Sequence, residues 1–471
     1  MAPTLLGPAA YGIFNVAQRV STLFELLPDC GMAYASTLTI SRDRSQARGL
    51  MPNVLGLQLL LSLDTVLLLA VVSLLFYGDK PVLRDAILVM AGALVFKAFK
   101  NTLRWLLRGF EMFGTEAASL VIERLLTLVV AIGAVMLGYG VLGFVLAIAL
   151  VRLADMAALF GYVSWRVVPL RPALDHKVAW ELLRRGLPFA YAGAMITIFF
   201  KVGTVILEQV RGAMETGYYS LPIQVLEGLT LVPRILSYAL IPTMALLHAR
   251  DAGAVAKLYR RGTKYLLVAG LPIVVFGLIA ARPFILVWGQ DYAPSIDLAR
   301  VILPAALFMF LSNFGETTLA CVNRWRSIVV VSTMAVVLNV SINVALISGY
   351  GAQGASWATL LTEAFYCVAT AVALRRAVAT AWLTLIWRPL LAVSVFAVLL
   401  WVALPMADAW RSLVAPNSAP ALFILARLVA LAVAVAPAAL GYAGATLVLG
   451  VWDPAERRLV ADLVLRRRDQ R

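Results

Sequence analysis

Seven residues that can do polar chemistry interrupt three apolar stretches of the chain. Arg19, Glu25 and Asp29 fall in 10–38, Lys201 in 189–207, and Gln224, Glu227 and Arg234 in 220–246. On insertion scales each charge costs about 2.5–3.5 kcal/mol at a bilayer centre, so residues of this kind face a partner or a wet cavity. At about 100° per residue, Glu227 and Arg234 are nearly superimposed on one helix face, with Gln224 roughly 60° away. Two arrangements satisfy the cost. In one, Arg19, Lys201 and Arg234 line a shared cavity whose basic character suits a diphosphate, with Gln224, Glu227 and Glu25 at its edges. In the other, Arg19, Lys201 and Arg234 form buried ion pairs with Glu25 and Glu227 that only fix lobe packing. The residues alone leave both open.

No catalytic constellation stands beside them. The two histidines, His176 and His248, fall in connections between apolar stretches, which leaves no histidine for a metal site or a catalytic dyad inside the membrane. A phosphate loop of the G-x-x-x-x-G-K-[ST] type is missing, with only Gly262-Thr263-Lys264 in its place. The chain reads as a non-enzyme with no cofactor.

These side chains need elements to position them. Of 471 residues, 62% are hydrophobic and 14% charged, against about half and a quarter in soluble domains. Apolar runs of about twenty residues recur throughout, the length that a bilayer core of about 30 Å demands of a helix. Breaks at Gly, Pro and charge clusters define thirteen candidate spans, so the fold class is an all-α polytopic membrane protein. Cys30, Cys321 and Cys367 lie in or at the ends of apolar runs, which argues against a disulfide framework.

Basic residues orient the bundle. Alternate connections starting with 41–50, together with the tail, hold 28 Lys and Arg; the opposite set holds 4, namely Lys80, Arg84, Arg211 and Arg411. By the positive-inside rule the first set is cytoplasmic, including the C-terminus. The net charge of +15 then belongs to topology and to anionic membrane lipids rather than to nucleic acid. Other charges have plainer readings. Arg152 and Asp155 are expected to pair with each other, Glu123 and Arg124 to snorkel, and Tyr218, Tyr219, Trp288 and Tyr292 to form an outer aromatic belt. The segment 175–185 reads as a short amphipathic surface helix, as does the tail 452–471.

An internal repeat runs through the chain. Gly138-Tyr139-Gly140 and Gly349-Tyr350-Gly351 are 211 positions apart; Tyr11-Gly12-Ile13-Phe14 and Thr216-Gly217-Tyr218-Tyr219 are 205 apart. Two echoes at nearly one offset indicate two related halves. In that register Gln224 corresponds to Arg19. A span precedes the second copy at Thr216 and none precedes Tyr11, so the pattern predicts a further helix ahead of Met1 and fourteen in all. The expected organisation is an N-terminal lobe over 1–164, a cytoplasmic connector over 165–188, a C-terminal lobe over 189–376, two extra spans over 377–450 and a basic tail over 451–471.

In order along the chain, several motifs resemble one family. They are Leu6-Gly7-Pro8-Ala9-Ala10-Tyr11-Gly12 with Asp29-Cys30-Gly31; Trp180, Leu182-Leu183 and Gly186-Leu187-Pro188; Gly217-Tyr218-Tyr219-Ser220 at a hairpin; Trp288-Gly289-Gln290-Asp291-Tyr292-Ala293; and Gly351-Ala352-Gln353-Gly354-Ala355. Together they resemble the polysaccharide flippases, in the superfamily of multidrug exporters and the lipid II flippase. The resemblance implies two six-helix lobes around a cavity that works by alternating access. It also implies transport of polyprenyl-diphosphate-linked oligosaccharide across a bacterial cytoplasmic membrane for surface polysaccharide synthesis. The partners implied are that substrate, membrane lipids, a polysaccharide polymerase and glycosyltransferases. One departure stands out: relatives often carry an aspartate where Gly203 stands beside Lys201, which removes a carboxylate for ion coupling. A small-solute or multidrug antiporter of the same fold is the alternative, and that lost carboxylate counts against it.

Overall fold

A computed structural model of the 471-residue chain describes residues 2–248, 252–375, 378, 382–412, 420–453 and 456. Its long helices are α1 (Ala2–Leu23), α2 (Met32–Arg42), α3 (Ala47–Tyr77), α4 (Pro81–Gly109), α5 (Phe113–Met136), α6 (Gly140–Arg166) and α7 (His176–Arg211). They continue as α8 (Ala213–Leu229), α9 (Leu231–His248), α10 (Ala252–Ile279), the short α11 (Ala281–Ile285) and α12 (Ser295–Ile302), α13 (Ala305–Cys321), α14 (Trp325–Leu374), α15 (Trp382–Ser412) and α16 (Pro420–Val448). No strand occurs among the described residues, and the all-α membrane fold is observed. Nine spans among those residues are long and apolar enough to cross a bilayer, fewer than the thirteen expected. Part of the difference is α14, one 50-residue helix that takes in two expected spans across a non-helical Gly351.

The chain packs as two compact units: Met1–Ser220 with Val336–Ala355, and Leu221–Ala335 with Ser356–Arg471. Helices α1 to α7 belong to the first unit, whose core includes Ile40, Met51, Leu55, Leu103, Leu107 and Val163. The second is centred on Leu271, Phe396, Leu400 and Tyr442, through which α10, α15 and α16 pack. The stretch 189–220 packs with the first unit.

Three local expectations change. The first expected span breaks at the turns between α1 and α2, and the seventh breaks at Thr230 between α8 and α9. The segment 175–185 is not a separate helix. Asp175 caps it by accepting from the backbone N–H of Lys177 and Val178, and it continues through Gly186-Leu187-Pro188 into the apolar length of α7. The hairpin expected at Gly217 turns instead at Gly212.

Gly212 (φ 83, ψ −179) and Gly7 (φ 75, ψ 169) share one backbone conformation, in a region that only glycine visits freely. They are 205 positions apart, as are Gly12 and Gly217, which lie inside helices. Helix α1 crosses the start of α8 there. A Cβ on Gly12 would fall on the Ala213 carbonyl oxygen, and a Cβ on Gly217 would fall on the Pro8 carbonyl oxygen. Pro8 and Ala213 are again 205 apart, so the contact is reciprocal, as a two-fold axis through two related segments requires. The other echo behaves alike: Gly140 (φ 59) and Gly351 (φ 55) take positive φ at corresponding positions.

Candidate functional site

Arg19 sits near the C-terminal end of α1, 4% exposed, and its Nη1 donates to the Phe200 carbonyl on α7 at 3.1 Å. Lys201, half-buried, is the next residue on that helix. The structure therefore sets these two cations on adjoining stretches of the first unit. Glu25, in the turn after α1, accepts from Lys97 Nζ of α4 at 2.6 Å, so it is committed to that lysine and not to Arg19. The remaining candidates lie in the second unit: Gln224 exposed and Glu227 half-buried on α8, Arg234 exposed on α9. Among the described residues no carboxylate forms an ion pair with Arg234. Arg19 does not pair with Glu25, and Arg234 does not pair with Glu227. The physical reason is competition in one case, Lys97 reaching Glu25 from α4, and the break at Thr230 in the other, which interrupts the straight helix that the 100° register assumed.

Gly203 is a packing position. A Cβ there would lie 2.9 Å from the Asn343 side-chain Oδ1 of α14, closer than real Cβ atoms approach, so an aspartate could enter only if Asn343 moved. The absence of a carboxylate at this place is thus matched by its surroundings.

The largest polar assembly is one that sequence reading missed. Lys97, Lys100, Arg104 and Arg108 recur at three- and four-residue spacing, which places them along one face of α4. Lys100 pairs with Glu123 of α5 and lies 3.6 Å from Asp155 of α6. Arg104 reaches Glu123 at 2.9 Å and Asp155 at 2.8 Å. Ser119 accepts from Arg104 at 3.0 Å and donates to Asp155 at 2.8 Å. Arg108 closes the row on Glu116. The four side chains at its centre are between 3% and 11% exposed, so this is an internal network. Glu123 does not snorkel, and Asp155 pairs with Arg104 and Lys100, while Arg152 Nη1 reaches the Met90 sulfur at 3.9 Å. The three- and four-residue spacing of the four cations was the available signal.

Other acidic residues find places too. Glu208 is buried and accepts from Lys80 at 3.0 Å. In the second unit, Glu316 accepts from the Tyr366 hydroxyl at 2.8 Å, and Glu363 is buried at 1% exposure. Tyr219 and Tyr292 are 3% and 1% exposed, so they fill cores rather than ring an interface; a belt takes only rings that water and headgroups can reach.

Just past α16, Glu456 accepts from Lys264 Nζ at 2.6 Å, from the Tyr265 hydroxyl at 2.6 Å and from the Asp453 N–H at 2.7 Å. Burial pushes this carboxyl up, and the donors together outweigh burial and hold it below the usual glutamate value. The rest of the expected tail helix, 454–455 and 457–471, lies outside the described residues.

This arrangement, a multi-pass helical bundle with ionisable residues held inside it, is the fold of a class of membrane transporters. A multidrug resistance transporter of the MATE family, of the MOP superfamily and in an inward-facing conformation, superimposes with TM-score 0.65 at 15% identity over 79% of this chain and 93% of its own. The lipid II flippase MurJ in an inward closed conformation superimposes with TM-score 0.63 at 12% identity, over 92% of this chain and 97% of its own. A MOP superfamily transporter from Pyrococcus furiosus, reported with reversed polarity of its binding pocket, reaches TM-score 0.52 at 16% identity over 80% and 86%. No curated protein matches the chain by sequence. The family model described as "Polysaccharide biosynthesis protein" matches residues 4–297, and the chain belongs to that family.

Proposed function

We propose that the protein is a flippase that moves polyprenyl-diphosphate-linked oligosaccharide from the inner to the outer leaflet of a bacterial cytoplasmic membrane. A sugar and a diphosphate cannot cross hydrocarbon unaided, because unpaired polar and charged groups are costly there. A transporter for this substrate needs cations inside its helices and a path for the lipid tail in the bilayer. The observation that carries the reading is the placement of two cations together inside the first unit: Arg19, buried on α1, donates to the Phe200 carbonyl of α7, and Lys201 is the next residue on that helix. Membership of the polysaccharide biosynthesis family supports this substrate class. Alternating exposure of the head group to the two sides completes the cycle.

Inactivating the gene in its native host tests this. Surface polysaccharide should be lost and polyprenyl-diphosphate oligosaccharide should accumulate in the membrane fraction. A strain with normal surface polysaccharide and raised sensitivity to cationic drugs would instead favour a multidrug antiporter.

A further inference from the structure

A second basic site lies in the second unit, on residues that the proposed transport does not use. A cavity of about 520 Å³ opens between the first turns of α10, the start of α15 and the residues just past α16. Among the described residues, five cations line it, Lys257, Arg260, Arg261 and Lys264 from α10 and Arg388 from α15, with the carboxylate of Asp453.

The cavity is built by fixed contacts rather than by loose side chains. Arg388 Nη1 donates to the Gly450 carbonyl at 2.6 Å, and its guanidinium lies 5.1 Å from the centre of the Trp387 ring. Lys264 is tied to Glu456, as described above, and Arg261 lies 3.9 Å from the same carboxylate. Tyr265 and Trp452 stack at 5.7 Å, and Trp452 Nε1 donates to Thr446 at 3.0 Å, so the segment after α16 is anchored on α10. Lys257 and Arg260 are different. Both are exposed, and neither forms an ion pair with any described residue. Their charge is available to a ligand.

Depth identifies the ligand. The apolar spans that meet at the cavity are Gly253–Ile279, Leu385–Pro405 and Leu425–Val448. The cavity takes residues from the basic N-terminal stretch 257–264 of the first, from the first turn of the second and from just beyond the end of the third. Three span ends coincide there, at the level of lipid headgroups, on the face that the basic residues assign to the cytoplasm. Trp387, half-exposed, has the amphipathic character of an interfacial ring. Basic pockets between transmembrane helices on this side recognise phosphate headgroups of anionic lipids. We propose that the cavity formed by Lys257, Arg260, Arg261 and Arg388 binds the phosphate of an anionic phospholipid headgroup as a resident lipid of the cytoplasmic leaflet.

The test is a titration of the purified full-length protein in detergent, following its thermal unfolding midpoint. Phosphatidylglycerol, phosphatidylcholine and inorganic phosphate are added in separate series. Phosphatidylglycerol should raise the midpoint, and the other two should not. The double change Lys257→Gln with Arg260→Gln should keep the lipid-free midpoint, because it breaks no ion pair among the described residues. It should also raise the phosphatidylglycerol concentration for half the shift by about tenfold or more, each interfacial cation contributing substantially to anionic-lipid affinity. The charge-conserving pair Lys257→Arg with Arg260→Lys should stay within about threefold of the wild type. Equal shifts from phosphatidylcholine, or an unchanged titration in the Gln pair, would overturn the site. Inorganic phosphate reproducing the shift would make it a soluble-anion site and overturn the headgroup assignment.

Discussion

Asp155 and Arg234 respond to removal in opposite ways. Asp155 is buried and shared by Arg104 and Lys100, so Asp155→Ala leaves two cations inside the first unit short of a partner. Breaking a buried pair from one side costs about 3–5 kcal/mol, and the yield of folded protein in membranes should fall accordingly. Arg234 is exposed and unpaired among the described residues. Arg234→Ala should therefore leave abundance nearly normal while export of surface polysaccharide drops, and Arg234→Lys should keep part of it because a point charge replaces a bidentate fork. Immunoblots of membranes alongside export assays separate the two effects. Restored export in Arg234→Ala with Glu227→Gln would contradict a substrate role for Arg234. The residue scale was the least legible in the sequence. Cost arguments marked Glu25 as a residue that needs a partner, and that partner came from α4, 72 positions away. Periodicity along one helix carries no information about such a partner.

At the scale of elements, the repeat was readable and its turns were misplaced. The GYG echo and the Gly12/Gly217 echo were visible because glycine is retained where backbone geometry demands it. The sequence could not say which glycine of each pair turns the chain and which one allows two helices to touch. The structure divides the work: Gly7 and Gly212 turn, Gly12 and Gly217 touch. Gly12→Ala and Gly217→Ala should each cost about 1–3 kcal/mol, since the obstructing atoms are backbone carbonyls that cannot rotate away. Gly7→Ala and Gly212→Ala should cost about as much through their backbone conformation alone. Gly133→Ala on α5, where a Cβ meets nothing within 4 Å, should be neutral or slightly stabilising. Unfolding midpoints of the five variants check this, and a Gly133→Ala as damaging as the others would remove the distinction. The 175–185 segment shows the converse limit. Its amphipathic pattern was right for a helix, and nothing in the pattern revealed that it would run unbroken into the membrane part of α7.

For the molecule as a whole, composition and charge asymmetry were sufficient for a polytopic helical membrane protein, because a bilayer admits few alternatives. The order of weak motifs led to the family that residues 4–297 match. Substrate is a property of a few side chains, and fold similarity to both a multidrug transporter and a lipid II flippase does not choose between them. Under the proposed function the choice falls to Arg19, Lys201 and Arg234, whose charge suits a diphosphate. The most direct measurement uses vesicles reconstituted with the purified protein and a polyprenyl-diphosphate oligosaccharide bearing a fluorescent label on its sugar. A membrane-impermeant quencher, added outside, reads the fraction of label exposed over time. With the protein present, label that starts inside should become quenchable far faster than in protein-free vesicles, and Arg19→Ala should slow it. Quenching no faster than in protein-free vesicles would contradict the account.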